Sequence, residues 1–218
     1  MIVVGGEIAM SVLNNAKYIL NRLTGRFHVP SGLLYSSETK ILHISDTPTT
    51  LYPAIEILLD VLKPDILVHT GDLADDIKLE IDPGYLDAYS EAVIPFLHMM
   101  EGSPAGEVYI VPGNHDCFQV VSHNTEKTRL VSEGDVLSVK GVSLGLAHTK
   151  SRLPDTAGYR LYGHNFSGGS GGNAVYLNGL KNVNVILCPS GRVEKISYPL
   201  TVNYDRKLHN GYGIPRTV

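Results

Sequence analysis

The sequence predicts an α/β protein, because apolar runs alternate with helical patterns along residues 41–111. Residues 41–45 and 65–69 are almost continuously apolar and end in acidic or glycine-containing turns. Such runs are typical of parallel strands that are buried on both faces. Between them, residues 51–62 place apolar side chains at helical spacing.

A second helix and a third strand continue this alternation. Residues 85–100 have helical periodicity, and residues 107–111 form another apolar run. Strand–helix–strand connections within one sheet are almost always right-handed. We therefore expect a parallel βαβαβ unit with right-handed crossovers.

The second half of the chain has shorter apolar runs. Residues 135–147 predict a β-hairpin with Lys140 and Gly141 at its turn. Further strands are expected at residues 159–162, 183–188 and 193–200. Residues 167–172 contain only serine and glycine, which indicates a flexible loop.

The N-terminal residues have a different pattern from the rest. Residues 8–23 place apolar side chains on one helical stripe, with Gly25 as a terminating residue. We therefore divide the chain into a helical appendage at residues 1–40 and a main domain at residues 41–218. The apolar stripe suits packing on that domain or a contact in a homodimer.

Charge and cysteine content narrow the functional classes. The formal net charge of −4 provides no basic surface for nucleic acid or an anionic membrane. Cys117 and Cys188 cannot build a disulfide framework, which indicates a reducing, cytoplasmic compartment. No basic segment precedes the apolar N-terminal residues, so we expect neither a cleaved signal nor a membrane anchor.

Side chains that can bind metals are concentrated where the predicted strands end. They are Asp46, Asp72, Asn114, His148 and His164. Because ligands in open α/β sheets bind at the carboxyl ends of strands, we expect these loops to meet in one crevice. Carboxylate, amide and imidazole donors together suit Mn²⁺, Fe or Zn²⁺. Taken singly, an aspartate here could instead belong to a turn or a helix cap, Asn114 could belong to a turn, and a histidine could be a packed, hydrogen-bonded residue.

The order of these motifs resembles that of the calcineurin-like metallophosphoesterase superfamily. That superfamily carries D-x-H, G-D, G-N-H with a following acidic residue, a lone histidine, and G-H-x-H, each after a strand. The corresponding segments are Ser45-Asp46-Thr47-Pro48, Thr70-Gly71-Asp72, Gly113-Asn114-His115-Asp116, His148 and Gly163-His164-Asn165-Phe166. The resemblance covers about residues 41–200. It implies a sandwich of two β-sheets flanked by helices, an α/β/β/α arrangement of four layers.

The resemblance also implies one complete metal position and one incomplete position. The family's second metal would be held by Asp72, Asn114, His148 and His164, which are all present. The first would be held by Asp46, the shared Asp72 and two histidines. This sequence has Pro48 and Phe166 where those histidines would stand. We therefore expect one tightly held divalent cation and a second position that is empty or weakly occupied.

The same resemblance implies roles for two further residues. The G-N-H histidine assists the leaving group in this family, which assigns that role to His115. In related protein phosphatases an aspartate at the position of Asp75 pairs with this histidine, although Asp75 could instead cap a helix. The arginine that follows that aspartate in those phosphatases is absent here. A small phosphoester is therefore favoured over a phosphoprotein as substrate.

Two other functions are compatible with the sequence. The loss of both histidines from one metal position favours a non-catalytic scaffold on the same fold. A nucleotide-binding module is the second alternative, because Gly5-Gly6 and residues 167–172 are glycine-rich, but neither segment matches a dinucleotide or P-loop fingerprint. The complete second metal position and His115 favour a metal-dependent phosphoesterase over both.

Overall fold

Two β-sheets form the centre of the computed structural model, which describes residues 16–169 and 171–208. The strands are β1 (Thr39–Ile44), β2 (Ile66–His69), β3 (Glu107–Ile110), β4 (Arg129–Leu130), β5 (Val136–Val139), β6 (Val142–Leu146), β7 (Tyr159–Tyr162), β8 (Val175–Asn178), β9 (Val183–Cys188) and β10 (Val193–Ile196). The helices are α1 (16–23), α2 (Ser31–Leu34), α3 (Tyr52–Leu62), α4 (Leu86–Gly102), α5 (Phe118–His123) and α6 (Val202–Asp205).

The first sheet contains the predicted βαβαβ unit. Its strand order is β10-β9-β1-β2-β3-β4, and β1 to β4 run parallel while β9 is antiparallel to both of its neighbours. Ile44 pairs with His69, and His69 pairs with Ile110. The carboxyl ends of β1, β2 and β3 therefore lie side by side at one edge of the sheet.

The second sheet has the order β5-β6-β7-β8. The predicted hairpin is confirmed, since β5 and β6 pair in antiparallel register. Lys140 and Gly141 at its turn have φ angles of 50° and 82°, the left-handed conformations that a two-residue type I′ turn requires. Strands β6, β7 and β8 are parallel, so the ends of β6 and β7 also share one edge.

Alternate residues of the first sheet enter two separate apolar layers. On one face, strand residues pack against α3 and α4, and this layer includes Leu42, Ile44, Leu67, Ile110, Ile55, Leu58, Phe96 and Leu97. On the other face, strand residues pack against the second sheet, and this layer includes Ile41, Ile66, Val68, Leu144, Leu146, Leu161 and Leu177. Both faces are thus buried, which explains the continuously apolar strands.

The outer face of the second sheet is covered by the segment that follows β6. A Cβ atom at Gly145 would lie 2.6 Å from Pro154 and 2.8 Å from Ala157. This segment contains one turn of 3-10 helix, Lys150–Arg152, where four-layer packing would place an α-helix. The predicted two-sheet sandwich with flanking helices is confirmed, with this thinner outer layer.

The N-terminal helix packs on the main domain. Residues 8–15 of the predicted helix lie outside the described residues, and residues 16–23 are helical. Tyr18 donates a hydrogen bond of 3.1 Å to Ser197 Oγ, and Arg22 donates one of 3.1 Å to the carbonyl of Tyr198. The domain division at residue 40 stays a prediction. None of the helices in the described residues has the length and apolarity needed to cross a membrane.

Candidate metal centre

The loops after five strands converge at the shared edge of the two sheets. The loop after β1 is tied to the loop after β2 by hydrogen bonds from Asp46 N to Gly71 O and from Thr47 N to Asp72 O, both 2.9 Å. Gly163 N, after β7, donates to His148 O, after β6, at 2.9 Å. The predicted convergence of these loops is therefore found.

Four donor atoms from this edge face one another. His148 Nε2 lies 2.8 Å from Asn114 Oδ1, 3.2 Å from His164 Nδ1 and 3.4 Å from Asp72 Oδ2. His164 Nδ1 lies 3.0 Å from Asn114 Oδ1. A cation with metal–nitrogen distances of about 2.1 Å holds neighbouring ligand atoms roughly 3.0–3.4 Å apart. The four side chains are therefore spaced as ligands of one cation would be.

The hydrogen bonds around His148 determine which atom it offers. Its Nδ1 lies 2.7 Å from the carbonyl oxygen of Thr70, which can only accept, so Nδ1 carries a proton. In the neutral ring, Nε2 would then direct a lone pair at the oxygens of Asp72 and Asn114. Acceptors facing each other in a buried site repel, so a cation or a proton must lie between them. The donor set therefore fits a divalent cation.

Asp72 and His148 also determine each other's ionisation. Burial opposes the charged form of Asp72, but the hydrogen bond and positive charge of His148 hold its pKa at about 2. Burial likewise disfavours protonated His148, yet Asp72 and Asp46 raise its pKa to about 10. A proton thus occupies the place where a bound cation would provide positive charge.

Three of the candidate ligands have left-handed backbone conformations. The φ angles are 52° for Asp46, 56° for Asp72 and 66° for His164. Such conformations cost non-glycine residues about 1–3 kcal/mol each and are concentrated at functional sites.

Asp116, the last residue of the Gly113-Asn114-His115-Asp116 motif, holds two of these loops together. Its Oδ2 accepts from Asp72 N at 2.8 Å and from Gly113 N at 2.7 Å. Its Oδ1 accepts from Leu73 N at 2.8 Å and from the Tyr89 hydroxyl at 2.9 Å. A partly buried carboxylate with four donors restrains the loop geometry strongly.

Glycine is required where the loops approach one another. A Cβ atom at Gly113 would overlap the Asp72 carboxylate and lie 2.9 Å from the His148 ring. One at Gly163 would overlap the side chains of Ser45 and Asp46. The Gly-Asn-His and Gly-His motifs therefore contain glycine because the ligands of neighbouring loops occupy the space of a side chain.

Comparison with known families agrees with this geometry. A model of the calcineurin-like phosphoesterases matches residues 39–211. The chain belongs to the calcineurin-like phosphoesterase family. The resemblance inferred from the motifs is thereby confirmed, and at the family level the chain is a metal-dependent phosphoesterase.

One solved structure shares this fold at low sequence identity, and others superpose less well. The first superposes with a TM-score of 0.55 at 11% identity, over 74% of this chain and 99% of that chain. The phosphoesterase Yfce from E. coli gives 0.49 at 15% identity, over 74% and 100%. The Pseudomonas putida nuclease MPE gives 0.34 at 16% identity, over 71% and 86%. Only the first value is high enough to support a shared fold, and no curated protein matches the sequence.

Pro48 and Phe166 stand at the two positions where the motifs of the calcineurin-like phosphoesterases carry histidines. Pro48 is buried and begins a 3-10 turn, and Phe166 is 37% exposed on the loop after β7. Both oxygens of Asp46 accept from the backbone N–H of His164, at 3.1 Å each. Burial raises the pKa of Asp46. Asp46 therefore positions the His164 loop, and its role as a metal ligand stays a prediction.

His115 lies beside this metal position with a defined tautomer. Its backbone N–H donates to Asp72 Oδ1 at 2.9 Å, and its Nδ1 accepts from the backbone N–H of Glu80 at 3.3 Å. The neutral ring therefore carries its proton on Nε2. Burial lowers the pKa of His115, and the positive charge of Lys78 acts in the same direction.

Asp75 is placed near His115 without pairing with it. Its Oδ1 accepts a hydrogen bond from the Lys78 ammonium group, while Oδ2 is buried with no partner among the described residues. One ligand atom each from Asp72, Asp75 and His115 lie within 4.8 Å of one another. No hydrogen bond joins Asp75 and His115 among the described residues, where Asp75 contacts Lys78 instead, and the catalytic role that the resemblance gives Asp75 stays a prediction.

His43 and His69 lie within strands β1 and β2. Both are fully buried, with His43 Nε2 2.9 Å from Thr70 Oγ1 and His69 Nε2 3.0 Å from Thr47 Oγ1. The residues that sequence reasoning missed are Lys78, Glu80 and Arg206. None of them lies in a motif, so only the fold could show that they reach the site.

Proposed function

We propose that the chain hydrolyses a small phosphodiester or phosphomonoester with one tightly held divalent cation. The convergence of Asp72 Oδ2, Asn114 Oδ1, His148 Nε2 and His164 Nδ1 supports this most directly. The mixed oxygen and nitrogen donors suit Mn²⁺, Fe or Zn²⁺, and we favour Mn²⁺. When bound, such a cation stabilises charge on phosphoryl oxygens and lowers the pKa of a bound water.

In this proposal His115 assists the departure of the leaving group. The Glu80 N–H fixes the neutral tautomer with its proton on Nε2, the atom that can donate to the leaving oxygen. The same contact and burial both disfavour the imidazolium form. His115 should therefore be protonated only below the ordinary pKa of histidine. Transfer of a whole proton from His115 to the leaving oxygen should be favoured at acidic pH.

Separate observations support the substrate size, the cellular location and the homodimer that we propose. A small substrate is favoured because Asp76, not arginine, follows Asp75. A cytoplasmic location is supported by the free thiols of Cys117 and Cys188. A homodimer contact through α1 is supported by its exposed apolar side chains, Ile19, Leu20 and Leu23. Sedimentation of the purified protein tests the last of these.

A scaffold without catalysis is the alternative, and one observation favours it. Pro48 and Phe166 provide no ligand atoms, and the Asp46 carboxylate is occupied by the His164 N–H. The Asp46 side of the site would then bind no cation. Against this, a scaffold has no chemical need for the four converging donors or for the defined tautomer of His115.

Metal analysis and hydrolysis assays separate the two functions. The purified protein should contain about one equivalent of metal per chain. It should hydrolyse a chromogenic phosphodiester or monoester in added Mn²⁺, and His115→Ala should reduce kcat by about 10²–10⁴ for a poor leaving group. His98→Ala, on the exposed face of α4, is the matched control. Bound metal without turnover at high Mn²⁺ would establish the scaffold.

A further inference from the structure

Lys78 lies in the loop between β2 and α4, beside the proposed metal centre. Its ammonium group contacts Asp75 Oδ1, and its side chain is only 18% exposed. The contacted carboxylate is the one whose ligand atom lies within 4.8 Å of those of Asp72 and His115. A long cationic side chain is therefore directed at the site and not into solvent.

Three carboxyl groups are buried close together at the site. Asp46, Asp72 and Asp75 are 2%, 3% and 1% exposed. Asp75 Oδ2 has no hydrogen-bond partner among the described residues. A second cation would neutralise such a cluster, but Pro48 and Phe166 remove the imidazoles that would hold it. Positive charge from the chain itself is the remaining source.

Arg206 is the other cation near these carboxylates, but it cannot reach a substrate. It is fully buried, and its guanidinium donates to the backbone carbonyls of Ser45, Asp46 and Leu180. It therefore lies beneath the loop after β1. Lys78 has three N–H donors, of which one is directed at Asp75, so two remain for an anion.

We propose that the Lys78 ammonium group binds a phosphoryl oxygen of the substrate and replaces part of the positive charge of the incomplete metal position. The ligand is a tetrahedral oxyanion held between the cation at Asp72 and Lys78. Asp75 orients the ammonium group. This inference rests on the proposed function, because it places the reacting phosphoryl group at the same centre.

Inorganic phosphate is the probe, since it retains the recognised group without the ester. Binding to the Mn²⁺-loaded full chain is measured by calorimetry for the unaltered protein, Lys78→Met and Lys78→Arg. Because a hydrogen bond to a charged group is lost, Lys78→Met should bind phosphate roughly ten- to a hundredfold more weakly, with Lys78→Arg between the two. Mn²⁺ affinity should stay unchanged. Lys127→Met, an exposed lysine before β4, is the matched control.

A purely structural Lys78 would give a different result. It would lower the urea midpoint of Lys78→Met and leave phosphate affinity unchanged, which would overturn the inference. If Lys78→Met does not fold, acetylation of the unaltered protein gives the answer, with peptide masses read in the presence and absence of phosphate. Protection of Lys78 but not Lys127 supports the inference, and equal labelling of both overturns it.

The outcomes also separate this inference from the proposed function. Phosphate binding that depends on Lys78, without hydrolysis of any ester, supports the Lys78 site and contradicts the proposed function. Hydrolysis with phosphate affinity unchanged in Lys78→Met supports the proposed function and overturns the Lys78 site. Absence of phosphate binding by the unaltered Mn²⁺-loaded protein overturns the Lys78 site as well.

Discussion

Glu80 Oε2 accepts a hydrogen bond of 2.6 Å from Asn114 Nδ2, and this contact determines the orientation of the Asn114 amide. An ionised carboxylate can only accept, so the amide nitrogen must face Glu80 and Oδ1 must face the two imidazoles. The backbone N–H of the same residue donates to His115 Nδ1. One exposed loop residue therefore positions both a candidate metal ligand and the candidate proton donor.

Removing the Glu80 carboxylate should weaken metal binding. Because partners of metal ligands fix ligand orientation, Glu80→Ala should lower Mn²⁺ affinity about 10- to 100-fold. Glu80→Gln retains an accepting oxygen and should have a smaller effect. Titration calorimetry with Mn²⁺ measures both, and Glu91→Ala on the exposed face of α4 is the control. Equal affinities for Glu80→Ala and Glu91→Ala would contradict the positioning role.

The strands and ligand loops were predictable because their signals are local. Strands β1, β2 and β3 are buried on both faces, so each is a continuous apolar run, and Asp46, Asp72 and Asn114 lie in the loops that follow these runs. The hairpin turn was predictable because Lys140 and Gly141 provide the backbone conformation that its loop length requires.

Other features could not be predicted from the sequence, and the reasons for this are also physical. Strand β8 (Val175–Asn178) has four residues beside a glycine-rich segment, and β4 has two, so neither produces a periodicity. Lys78 and Glu80 lie in the loop between β2 and α4. The path of this loop brings them to the site, and no local sequence pattern specifies that path. The resemblance pairs Asp75 with His115, whereas the structure places its Oδ1 against the Lys78 ammonium group, a contact that no sequence motif specifies.

Metal affinity should rise with pH because His148 must lose a proton to bind a cation. Asp72 and Asp46, against the effect of burial, raise the pKa of His148 from 6.5 to about 10. Below about pH 10 each binding event therefore releases this proton, and affinity should increase up to about tenfold per pH unit. Mn²⁺ titrations in buffers of different ionisation enthalpy measure the proton release. His148→Gln should bind more weakly with a flatter pH dependence, and a pH-independent affinity of the unaltered protein would contradict the assignment.

Restoring two imidazoles should create a second metal position. In Pro48→His/Phe166→His, new nitrogen ligands would join the carboxylates of Asp46 and Asp72. Metal content after dialysis against Mn²⁺ should rise from about one to about two equivalents per chain, because a cation then gains enough ligands to be retained. Pro48→Ala/Phe166→Ala is the control, since it removes the same side chains without adding ligands. If the histidine variant still holds only one equivalent of metal per chain, residues 48 and 166 are not what prevents a cation from binding beside Asp46.

Arg206 should be essential for stability, because it links the segment after α6 to the floor of the site. The fully buried guanidinium donates to Asp46 O at 2.5 Å, Leu180 O at 2.8 Å and Ser45 O at 3.2 Å, and it stacks over the Tyr198 ring. Arg206→Ala would leave three buried carbonyls without donors, each costing about 1–3 kcal/mol, so the free energy of unfolding should fall by at least about 3 kcal/mol.

Urea denaturation of the metal-free protein measures this loss without a contribution from bound cation. Arg206→Lys keeps the charge but cannot reproduce a planar fork of donors, so it should recover only part of the stability. Arg26→Ala, on an exposed side chain after α1, is the control and should change the free energy of unfolding by less than about 0.5 kcal/mol. A loss in Arg206→Ala as small as that in the control would mean that water replaces the guanidinium at all three carbonyls. The Asp46 loop would then be held by its backbone bonds to the loop after β2 and by the bonds from His164 N–H to the Asp46 carboxylate.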